Sequence, residues 1–366
     1  MDVADKKVTF LISSLAGGGA EGVCVNVANG MAEQGWHVDL VVLHLNNAAY
    51  FDLVSDKVNL VVLGVNHARY ALNQIRKYLK TNKPEKVLVF NYELTVLLVM
   101  IRRLMRQPFK IIARNNSLFS KNRANGGLWQ KQVVQRLVDN LYCKVDHVIN
   151  QCKAMEADLL ALFPELQGKT SVIYNPVNKI IEDAAKQIDF SQVEKQDYLL
   201  CVGRLGPEKA FHYAIEGFAG VAKDFPTLRL KIVGQGSLEH ALKQCAIDFG
   251  VANRVDFEGF QKDMIPYYLH AKATLLTSEY EGFPNVLVES TTLGTPVVAF
   301  NCLSGPSEIV MDGVNGYLVK YKDSKDLVEK IFLMLKSYRS LKSGLISKYM
   351  IKNAIFNYAN VVSRCN

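Results

Sequence analysis

Residues 277–305 read TSEYEGFPNVLVESTTLGTPVVAFNCLSG, and this stretch decides the fold class of the chain. The apolar residues 273–276 just before it predict the end of a buried strand. A turn-rich loop then leads to a helix predicted over residues 285–293, which Gly294 ends. Residues 296–300 predict a second buried strand. The stretch is therefore a strand–loop–helix–strand unit of the kind found in α/β domains.

Two carboxylates in this unit, Glu281 and Glu289, lie eight residues apart. Glu281 is predicted in the loop and Glu289 on the helix, so both side chains can reach one crevice. The apolar residues around Glu289 are expected to pack on the sheet, where a carboxylate without a partner is costly. The alternative is that both residues are ordinary solvated surface charges.

The composition of the whole chain predicts a globular protein of two domains. The 366 residues are too many for one packed domain, and a hydrophobic content of 49% suffices for two cores. A charged start that runs into a strand predicts no signal peptide. The longest apolar run, residues 96–101, is far shorter than the roughly 20 residues that span a bilayer. Seven scattered cysteines without a C-x-x-C pair indicate free thiols in a reducing cytoplasm.

The net charge of +8 is concentrated in the first half of the chain. Residues 1–175 carry a net charge of +7, and residues 66–136 hold 15 basic residues against two acidic ones. Such a concentration predicts a surface for phosphates or anionic lipid, with an ordinary solvated basic face as the alternative. We expect peripheral contact with an anionic membrane surface through residues 66–136, and no nucleic-acid partner.

A glycine-rich turn, residues 17–19, follows the first predicted strand and precedes a helix predicted over residues 23–34. Glycines at such a turn allow a ligand to approach the backbone, and the start of the helix favours a diphosphate. Gly17, Gly19 and Gly22 also match G-x-G-x-x-G, which raises a dinucleotide-dependent oxidoreductase as an alternative. The carboxylate that this alternative needs at the end of the next strand is missing from the sequence, so the glycine pattern alone is weak evidence.

The sequence E-G-F-P-N-V-L-V-E, from Glu281 to Glu289, resembles the Glu-x7-Glu signature of the family-4 retaining glycosyltransferases. Further motifs similar to those of that family recur along the chain: N-P-V at residues 175–177, G-R-L followed by a lysine at residues 203–209, and S-G-P-S-E at residues 304–308. One departure is Ala210, which stands where the family usually has glycine. The resemblance therefore covers most of the chain.

The resemblance implies the GT-B fold, an α/β architecture in which two Rossmann-like domains face each other across a cleft. It places residues 1–177 in an N-terminal acceptor-binding domain. Residues 178–349 are expected to form a C-terminal domain that binds the nucleotide-sugar donor. A terminal helix over about residues 350–366 is expected to cross back to the first domain.

The same resemblance assigns roles to individual residues. Arg204 and Lys209 match the family's arginine and lysine, which bind the donor diphosphate and neutralise the leaving group. Glu281 is expected to hold the sugar, as the third catalytic residue, and Glu289 to bind the ribose hydroxyls. The other expected donor-binding residues are Gly17, Gly18, Gly19, Gly259, Phe260, Phe283, Pro284, Asn285 and Val286. The acceptor-side candidates, which stand where several family members have a histidine, are Arg114, Asn115 and Asn116.

The implied activity is retaining transfer of a hexose or N-acetylhexosamine from a UDP-sugar to a hydroxyl of a glycan or lipid-linked acceptor. The resemblance points to lipopolysaccharide, O-antigen or capsule biosynthesis by a cytoplasmic protein at the inner face of the cell membrane. The sequence has no Asp-x-Asp triplet, so no metal ion or other cofactor is expected. A GT-B sugar-nucleotide epimerase and a catalytically silent membrane-bound scaffold stay open as alternatives.

Overall fold

A computed structural model describes residues 6–16, 18–121, 135–341, 344 and 346–365. Contacts between residues divide the chain into two compact units. The first unit comprises Met1–Asn178 and Lys348–Asn366, and the second comprises Lys179–Ser347. Gly17 and residues 122–134 of the basic region lie outside the described residues.

The first unit is built on a parallel sheet of seven strands in the order β3-β2-β1-β4-β5-β6-β7. The strands are β1 (Lys7–Ile12), β2 (His37–Val42), β3 (Val58–Val62), β4 (Lys86–Val89), β5 (Lys110–Arg114), β6 (His147–Asn150) and β7 (Thr170–Val172). The described helices of this unit are α1 (Gly19–Glu33), α2 (Leu72–Asn82), α3 (Tyr92–Met105), α4 (Gln135–Leu141), α5 (Lys153–Leu162) and the terminal helix α13 (Ile351–Arg364). Strands such as β1 (KVTFLI) are buried on both faces, because helices cover both sides of a parallel sheet.

The terminal helix α13 packs in the first unit, as the predicted fold requires. Gly30 of α1 makes room for it, since a Cβ atom at this position would lie 2.0 Å from Cδ1 of Ile355. Tyr358 of α13 is buried, and its hydroxyl accepts a hydrogen bond of 2.8 Å from Nε of Arg114 at the end of β5. The last helix therefore belongs to the core of this unit.

The ends of two helices of the first unit show how local residues set their bounds. Helix α1 begins at Gly19, four residues earlier than predicted, because the end of the glycine turn is already helical. The basic residues 67–79 form a 3-10 turn, Ala68–Tyr70, and most of α2. Lys83 caps α2 with a left-handed φ of 44°, in which its N–H donates to the carbonyl of Leu79, and the proline that follows does not continue the helix.

The second unit is built on a parallel sheet of six strands in the order β10-β9-β8-β11-β12-β13. The strands are β8 (Tyr198–Val202), β9 (Arg229–Val233), β10 (Val255–Gly259), β11 (Ala273–Leu276), β12 (Val297–Phe300) and β13 (Gly316–Val319). The helices are α6 (Lys179–Gln187), α7 (Phe211–Val221), α8 (Glu239–Asp248), α9 (Ile265–His270), α10 (Asn285–Thr292), α11 (Pro306–Ile309) and α12 (Ser324–Ser337). Together β11, α10 and β12 form the strand–loop–helix–strand unit that the sequence predicts.

The strand order places a switch point in the middle of the second sheet. From β8 the chain continues outward to β9 and β10 on one side, while β11, β12 and β13 lie on the other side. In open α/β sheets ligands bind at such a point, beyond the carboxyl ends of the two central strands. The loop after β8 carries Arg204 and Lys209, and the loop after β11 carries Glu281. The fold therefore gathers these predicted site residues at one edge of the sheet.

Candidate active site

Three neighbouring strands of the second unit end in glycines with positive φ angles: Gly203 (152°) after β8, Gly234 (141°) after β9 and Gly259 (67°) in β10. A Cβ atom at Gly234 would lie 1.9 Å from the carbonyl oxygen of Gly203, so no other residue fits without a shift of the backbone. The N–H of Gly234 donates a hydrogen bond of 2.8 Å to the carbonyl of Gly259. This close packing gives the carboxyl edge of the sheet a backbone surface that a ligand can approach.

Arg204 lies on the loop after β8 and forms an ion pair with Glu208. The arginine side chain is 75% exposed, and it donates to Oε1 of Glu208 from Nη2 at 2.5 Å and from Nε at 3.1 Å. Burial raises the pKa of Glu208, but the hydrogen bond and charge of Arg204 outweigh burial and hold this pKa below its usual range. An exposed ion pair typically contributes only about 0.2–1 kcal/mol to stability. A phosphate can therefore compete for Arg204 at little cost.

Lys209 ends a 3-10 turn, Pro207–Lys209, and its side chain is 18% exposed. Its Nζ donates a hydrogen bond of 2.7 Å to Oε1 of Glu281, whose side chain is 11% exposed. The same oxygen accepts a hydrogen bond of 2.6 Å from the hydroxyl of Ser278. Within the described residues, Oε2 of Glu281 has no hydrogen-bond partner. One carboxylate oxygen thus binds the lysine, and the described structure shows no hydrogen bond to the other.

Hydrogen bonds to the backbone tie these two loops together. The hydroxyl of Thr277 donates a hydrogen bond of 3.2 Å to the carbonyl of Lys209. Two residues later in the same loop, the N–H of Glu279 donates one of 2.8 Å to the carbonyl of Glu208. The loop that carries the cations and the loop that carries Glu281 are therefore held in one arrangement.

The loop after β12 packs on the same segment. Ser304 has a φ of 75°, which serine rarely adopts, and its hydroxyl donates to the carbonyl of Glu281. Gly305 follows with a φ of 94°, and a Cβ atom there would lie 2.4 Å from Cδ of Pro284. The S-G-P segment that the sequence analysis singles out is therefore a strained turn braced against the Glu281 loop.

Glu289 lies on α10 and has a different partner from Glu281. The hydroxyl of Tyr268, on α9, donates a hydrogen bond of 2.9 Å to its Oε2. Burial raises the pKa of Glu289 to about 7, and the hydrogen bond from Tyr268 partly offsets that effect. The sequence predicts that a carboxylate on this helix needs a partner, and Tyr268 is that partner. The two carboxylates of the signature are thus held separately, each through one oxygen.

Helix α10 begins directly after Pro284, whose side chain makes no hydrogen bond to cap it. Phe283 and Pro284 are buried, whereas Asn285 and Val286 are partly exposed. The first amides of a helix have no partner within the helix, and its dipole makes this end electropositive. Here the N–H of Asn285 donates a hydrogen bond of 2.9 Å to the carbonyl of Phe283, and the N–H of Leu287 donates one of 3.0 Å to the carbonyl of Pro284, so the dipole is the feature of this end that suits an anion.

An exposed aromatic ring follows the neighbouring strand β10. Phe260 is 70% exposed, and it comes directly after Gly259. The side-chain atom nearest to the Cβ position of Gly259 is Nε2 of Gln235, at 3.9 Å, so the space above this backbone is open. A flat ring beside open backbone suits a planar ligand group such as a nucleobase.

The acceptor-side candidates lie in the first unit, at the end of β5, and two of the three are buried. Arg114 is 2% exposed and, besides its bond to α13, donates to Asn116 and to Oδ1 of Asn175, the latter at 2.6 Å. Asn115 is also buried and donates a hydrogen bond of 3.1 Å to Oδ1 of Asn150. These two side chains hold the carboxyl edge of the first sheet together. Asn116 is the partly exposed member of the set.

The glycine turn of the first unit lies at the beginning of α1. Gly18 is the N-cap residue, and Gly19 is the first residue of the helix. A Cβ atom at Gly18 would lie 2.4 Å from Oε2 of Glu21, so the carboxylate of Glu21 folds back over the start of the helix. A negative charge there is favourable, and a phosphate that binds to these amides has to displace it.

Three residues that contact the predicted set are not predicted from the sequence. Two of them carry a local signal: Glu208 lies four residues after Arg204, and Ser278 lies three residues before Glu281. Both spacings bring side chains close in a turn. The third residue, Tyr268, reaches Glu289 only through tertiary packing, and no sequence pattern indicates that contact.

Solved structures show the class to which this arrangement belongs. The chain is similar to Anabaena HepE, solved in complex with UDP, at 20% sequence identity and a TM-score of 0.73, over 97% of this chain and 94% of that chain. This likeness shows the fold, which consists of two Rossmann-like units, each built on a parallel sheet. The class is therefore that of proteins with the GT-B fold, and the cations and carboxylates of this chain lie at the carboxyl edge of the second sheet.

Two family models span most of the chain. The model "Glycosyltransferase Family 4" matches residues 17–179, and "Glycosyl transferases group 1" matches residues 183–354. The chain therefore belongs to the family-4 glycosyltransferases.

Relatives along nearly the full length also carry glycosyltransferase names. An uncharacterized glycosyltransferase of Haemophilus influenzae is 28% identical over 98% of this chain and 100% of its own length. An α-1,4-N-acetyl-D-galactosaminyltransferase of Campylobacter jejuni, whose name includes a glycan linked to PP-undecaprenol, is 23% identical over 90% of this chain and 89% of its own length.

Proposed function

We propose that this protein is a retaining glycosyltransferase that moves a hexose or N-acetylhexosamine from a UDP-sugar to a hydroxyl of a glycan or lipid-linked acceptor. The pathway would be the biosynthesis of a cell-surface polysaccharide, such as lipopolysaccharide, O-antigen or capsule. The observation that carries the proposal is the Lys209–Glu281 pair on the two loops that leave the switch point of the second sheet, with Arg204 on one of them. Two cations there suit a sugar diphosphate, whose leaving group is anionic.

The chemistry of the donor indicates which role each of the two cations has. Departure of the nucleotide builds negative charge on the β-phosphate and positive charge on the anomeric carbon. Lys209 is already held in place by Glu281, so its ammonium group can stabilise the leaving phosphate with little reorganisation. Arg204 is exposed and weakly paired, and it turns from Glu208 to the diphosphate when the donor binds.

The rest of the donor is assigned to the neighbouring groups. Oε2 of Glu281 and the first amides of α10 hold hydroxyls of the sugar. Glu289 accepts hydrogen bonds from the ribose hydroxyls, and Phe260 stacks on the uracil beside Gly259. The complex of Anabaena HepE with UDP supports the choice of nucleotide. Gly18 and Gly19, at the start of α1, stay candidates for contacts to the donor phosphates.

The proposed mechanism retains the configuration of the anomeric carbon. The acceptor hydroxyl attacks on the face that the diphosphate leaves, and the phosphate helps to take its proton. Protein side chains supply the cations, and we therefore expect activity without a metal ion or other cofactor.

The proposed acceptor is linked to a lipid, and the protein acts in the cytoplasm at the inner face of the membrane. The PP-undecaprenol glycan in the name of the Campylobacter relative supports such an acceptor. At the end of α3, Leu104 is 65% exposed next to Arg103 and close to Arg106, and an apolar side chain among cations suits an anionic membrane surface. No helix in the described ranges is long and apolar enough to cross a bilayer.

The alternatives have less support. An epimerase of the same fold would need no acceptor, but both relatives named above are transferases by name. Membership of a glycosyltransferase family also disfavours an oxidoreductase that binds a dinucleotide through the glycine turn. A silent scaffold has no use for an intact set of cations and carboxylates at the carboxyl edge.

The test is thermal stabilisation of the purified protein by a panel of nucleotides and sugar nucleotides, with and without EDTA. A specific ligand at ~100 times its Kd adds roughly 2.7 kcal/mol to the free energy of unfolding. Arg204→Ala is compared with Lys243→Ala, because Lys243 forms a similar exposed pair with Glu239, four residues away, on α8. Only the Arg204 variant is expected to lose the response to UDP.

The outcomes of this test distinguish the transferase from its alternatives. Stabilisation by UDP and one UDP-sugar, insensitive to EDTA and weakened by Arg204→Ala, supports the transferase. Stabilisation by nicotinamide dinucleotides instead would revive the oxidoreductase. If no nucleotide stabilises the protein, or if Lys243→Ala weakens the response as much as Arg204→Ala, the assignment of the donor site is wrong.

A further inference from the structure

We propose that Tyr268 is a positioning residue that fixes the carboxylate of Glu289 for the ribose of the donor. This inference rests on the proposed function, because it requires Glu289 to bind the ribose hydroxyls. The contact that carries it is the hydrogen bond of 2.9 Å from the Tyr268 hydroxyl to Oε2 of Glu289. Within the described residues it is the only hydrogen bond of the Glu289 side chain.

The geometry divides the two oxygens of Glu289 between the protein and a ligand. Oε2 is taken by Tyr268. Oε1 has no partner in the described part of the chain, yet it is not a buried orphan atom, so it keeps contact with solvent. One hydrogen bond at Oε2 fixes the rotation of the carboxylate and leaves Oε1 as the acceptor for ribose hydroxyls.

Tyr268 is itself held rigidly enough to serve as a fixed point. Its side chain is fully buried, and its backbone carbonyl accepts a hydrogen bond of 2.5 Å from the hydroxyl of Thr295. Thr295 in turn accepts a hydrogen bond from Nζ of Lys195, which also donates to the carbonyl of Leu269 at 2.7 Å. The end of α9 is thus pinned to the segment before β12, which fixes the backbone of Tyr268, while burial confines its ring.

The same contact also affects the protonation state of Glu289. Burial favours the neutral acid, whereas the hydrogen bond from Tyr268 favours the carboxylate and lowers the pKa. A ribose hydroxyl donates more strongly to a carboxylate than to a neutral acid. Loss of the phenol hydroxyl therefore affects both the orientation and the charge of the group that meets the ribose.

The experiment compares the affinities of UDP and 2′,3′-dideoxy-UDP, which lacks the ribose hydroxyls, for five forms of the full chain. These are the wild type, Glu289→Gln, Tyr268→Phe, the double variant with both replacements, and Tyr198→Phe. The last is the matched control: Tyr198 is also buried, and its hydroxyl donates to the backbone of the same helix, to the carbonyl of Tyr267 at 2.7 Å. No hydrogen bond joins Tyr198 to Glu289 in the described structure. Melting temperatures show that each variant is folded.

We expect the wild type to prefer UDP over the dideoxy analogue by ~10-fold or more, since the missing hydrogen bonds go to a charged group. Glu289→Gln should lose most of this preference. Tyr268→Phe should reduce the ratio at least ~3-fold. Tyr198→Phe should keep the ratio of the wild type even if it lowers the melting temperature, and Tyr268→Phe combined with Glu289→Gln should lose no more preference than Glu289→Gln alone.

Failure of the inference can be told apart from failure of the proposed function. If the wild type and Glu289→Gln behave as expected but Tyr268→Phe keeps the full preference for UDP, Tyr268 does not position Glu289. If Tyr198→Phe loses the preference as well, the effect is a general one on α9 and the inference is wrong. If the wild type binds no UDP, or binds both nucleotides equally, the proposed role of Glu289 is overturned and the inference with it.

Discussion

Replacement of Lys209 by methionine tests the cation that the proposed mechanism places at the leaving group. The side chain is 18% exposed and donates to Oε1 of Glu281 at 2.7 Å, and methionine keeps an unbranched chain one atom shorter while it removes the charge. A hydrogen bond to a charged group is worth about 1.5–3 kcal/mol, so the affinity for UDP should fall by roughly 10- to 150-fold. Loss of a group that stabilises the transition state should lower the rate of transfer by about 100- to 1,000-fold.

The same replacement has a smaller effect on stability. Breaking a fully buried ion pair costs about 3–5 kcal/mol. Here both side chains keep some exposure and Glu281 keeps its hydrogen bond of 2.6 Å from Ser278, so we expect a loss of only about 1–2 kcal/mol. The double variant Lys209→Met, Glu281→Gln removes the uncompensated charge, and it should regain most of this loss without regaining affinity for UDP.

Calorimetric titration with UDP and unfolding by denaturant measure the two effects separately. The reasoning is refuted if Lys209→Met binds UDP as tightly as the wild type while it loses stability, because Lys209 would then be only a structural partner of Glu281. It is also refuted if the double variant recovers UDP binding together with stability, because the defect would then be one of folding.

Four further predictions concern single positions in the second unit. Gly234→Ala should cost more than about 2 kcal/mol in denaturant unfolding, because its Cβ would lie 1.9 Å from the carbonyl oxygen of Gly203; unchanged stability would contradict this. Ala210→Gly should change the stability by less than about 1 kcal/mol, because glycine relieves the strain of the left-handed φ of 46° but raises the conformational entropy of the unfolded chain. A larger loss of stability would contradict this balance of the two effects. Phe260→Ala should change the stability by no more than about 0.5 kcal/mol, because the ring is 70% exposed. It should weaken UDP binding by about 1–3 kcal/mol, because stacking on the base is lost. A UDP affinity equal to that of the wild type would exclude the ring from the donor site. Burial raises the pKa of Glu289 to about 7 in the folded protein, so the folded state favours the neutral acid. The stability that the neutral acid contributes is lost as the pH rises through that value. Between about pH 5 and pH 8 the wild type should therefore lose up to about 3 kcal/mol relative to Glu289→Gln, and parallel pH curves would show that burial does not act on this carboxylate.

Much of the second unit can be predicted from the sequence, because its strands are buried apolar runs with clear turn signals on either side. The strand at Ala273–Leu276 and the start of α10 at Asn285 agree with the sequence pattern. Family resemblance leads to Arg204, Lys209 and Glu281 because these residues stand in continuous motifs. Such motifs need only local spacing to be recognised.

Other features depend on contacts between distant parts of the chain. Tyr268 reaches Glu289 across two loops and a strand, and no local pattern records that contact. Arg114 looks like a ligand-binding residue because it follows a strand, yet it is buried and its guanidinium is engaged by Tyr358 and Asn175. A polar residue at the end of a strand can serve either a ligand or the packing of the next element, and only tertiary structure decides between them.

The most direct measurement is a crystal structure of the protein with UDP bound. The account predicts the diphosphate on Arg204 and Lys209, at the carboxyl edge of the second sheet, and the ribose on Oε1 of Glu289. It also predicts that Tyr268 keeps its hydrogen bond to Oε2. A nucleotide bound with its diphosphate away from both cations, or a ribose without contact to Glu289, would contradict the central claim.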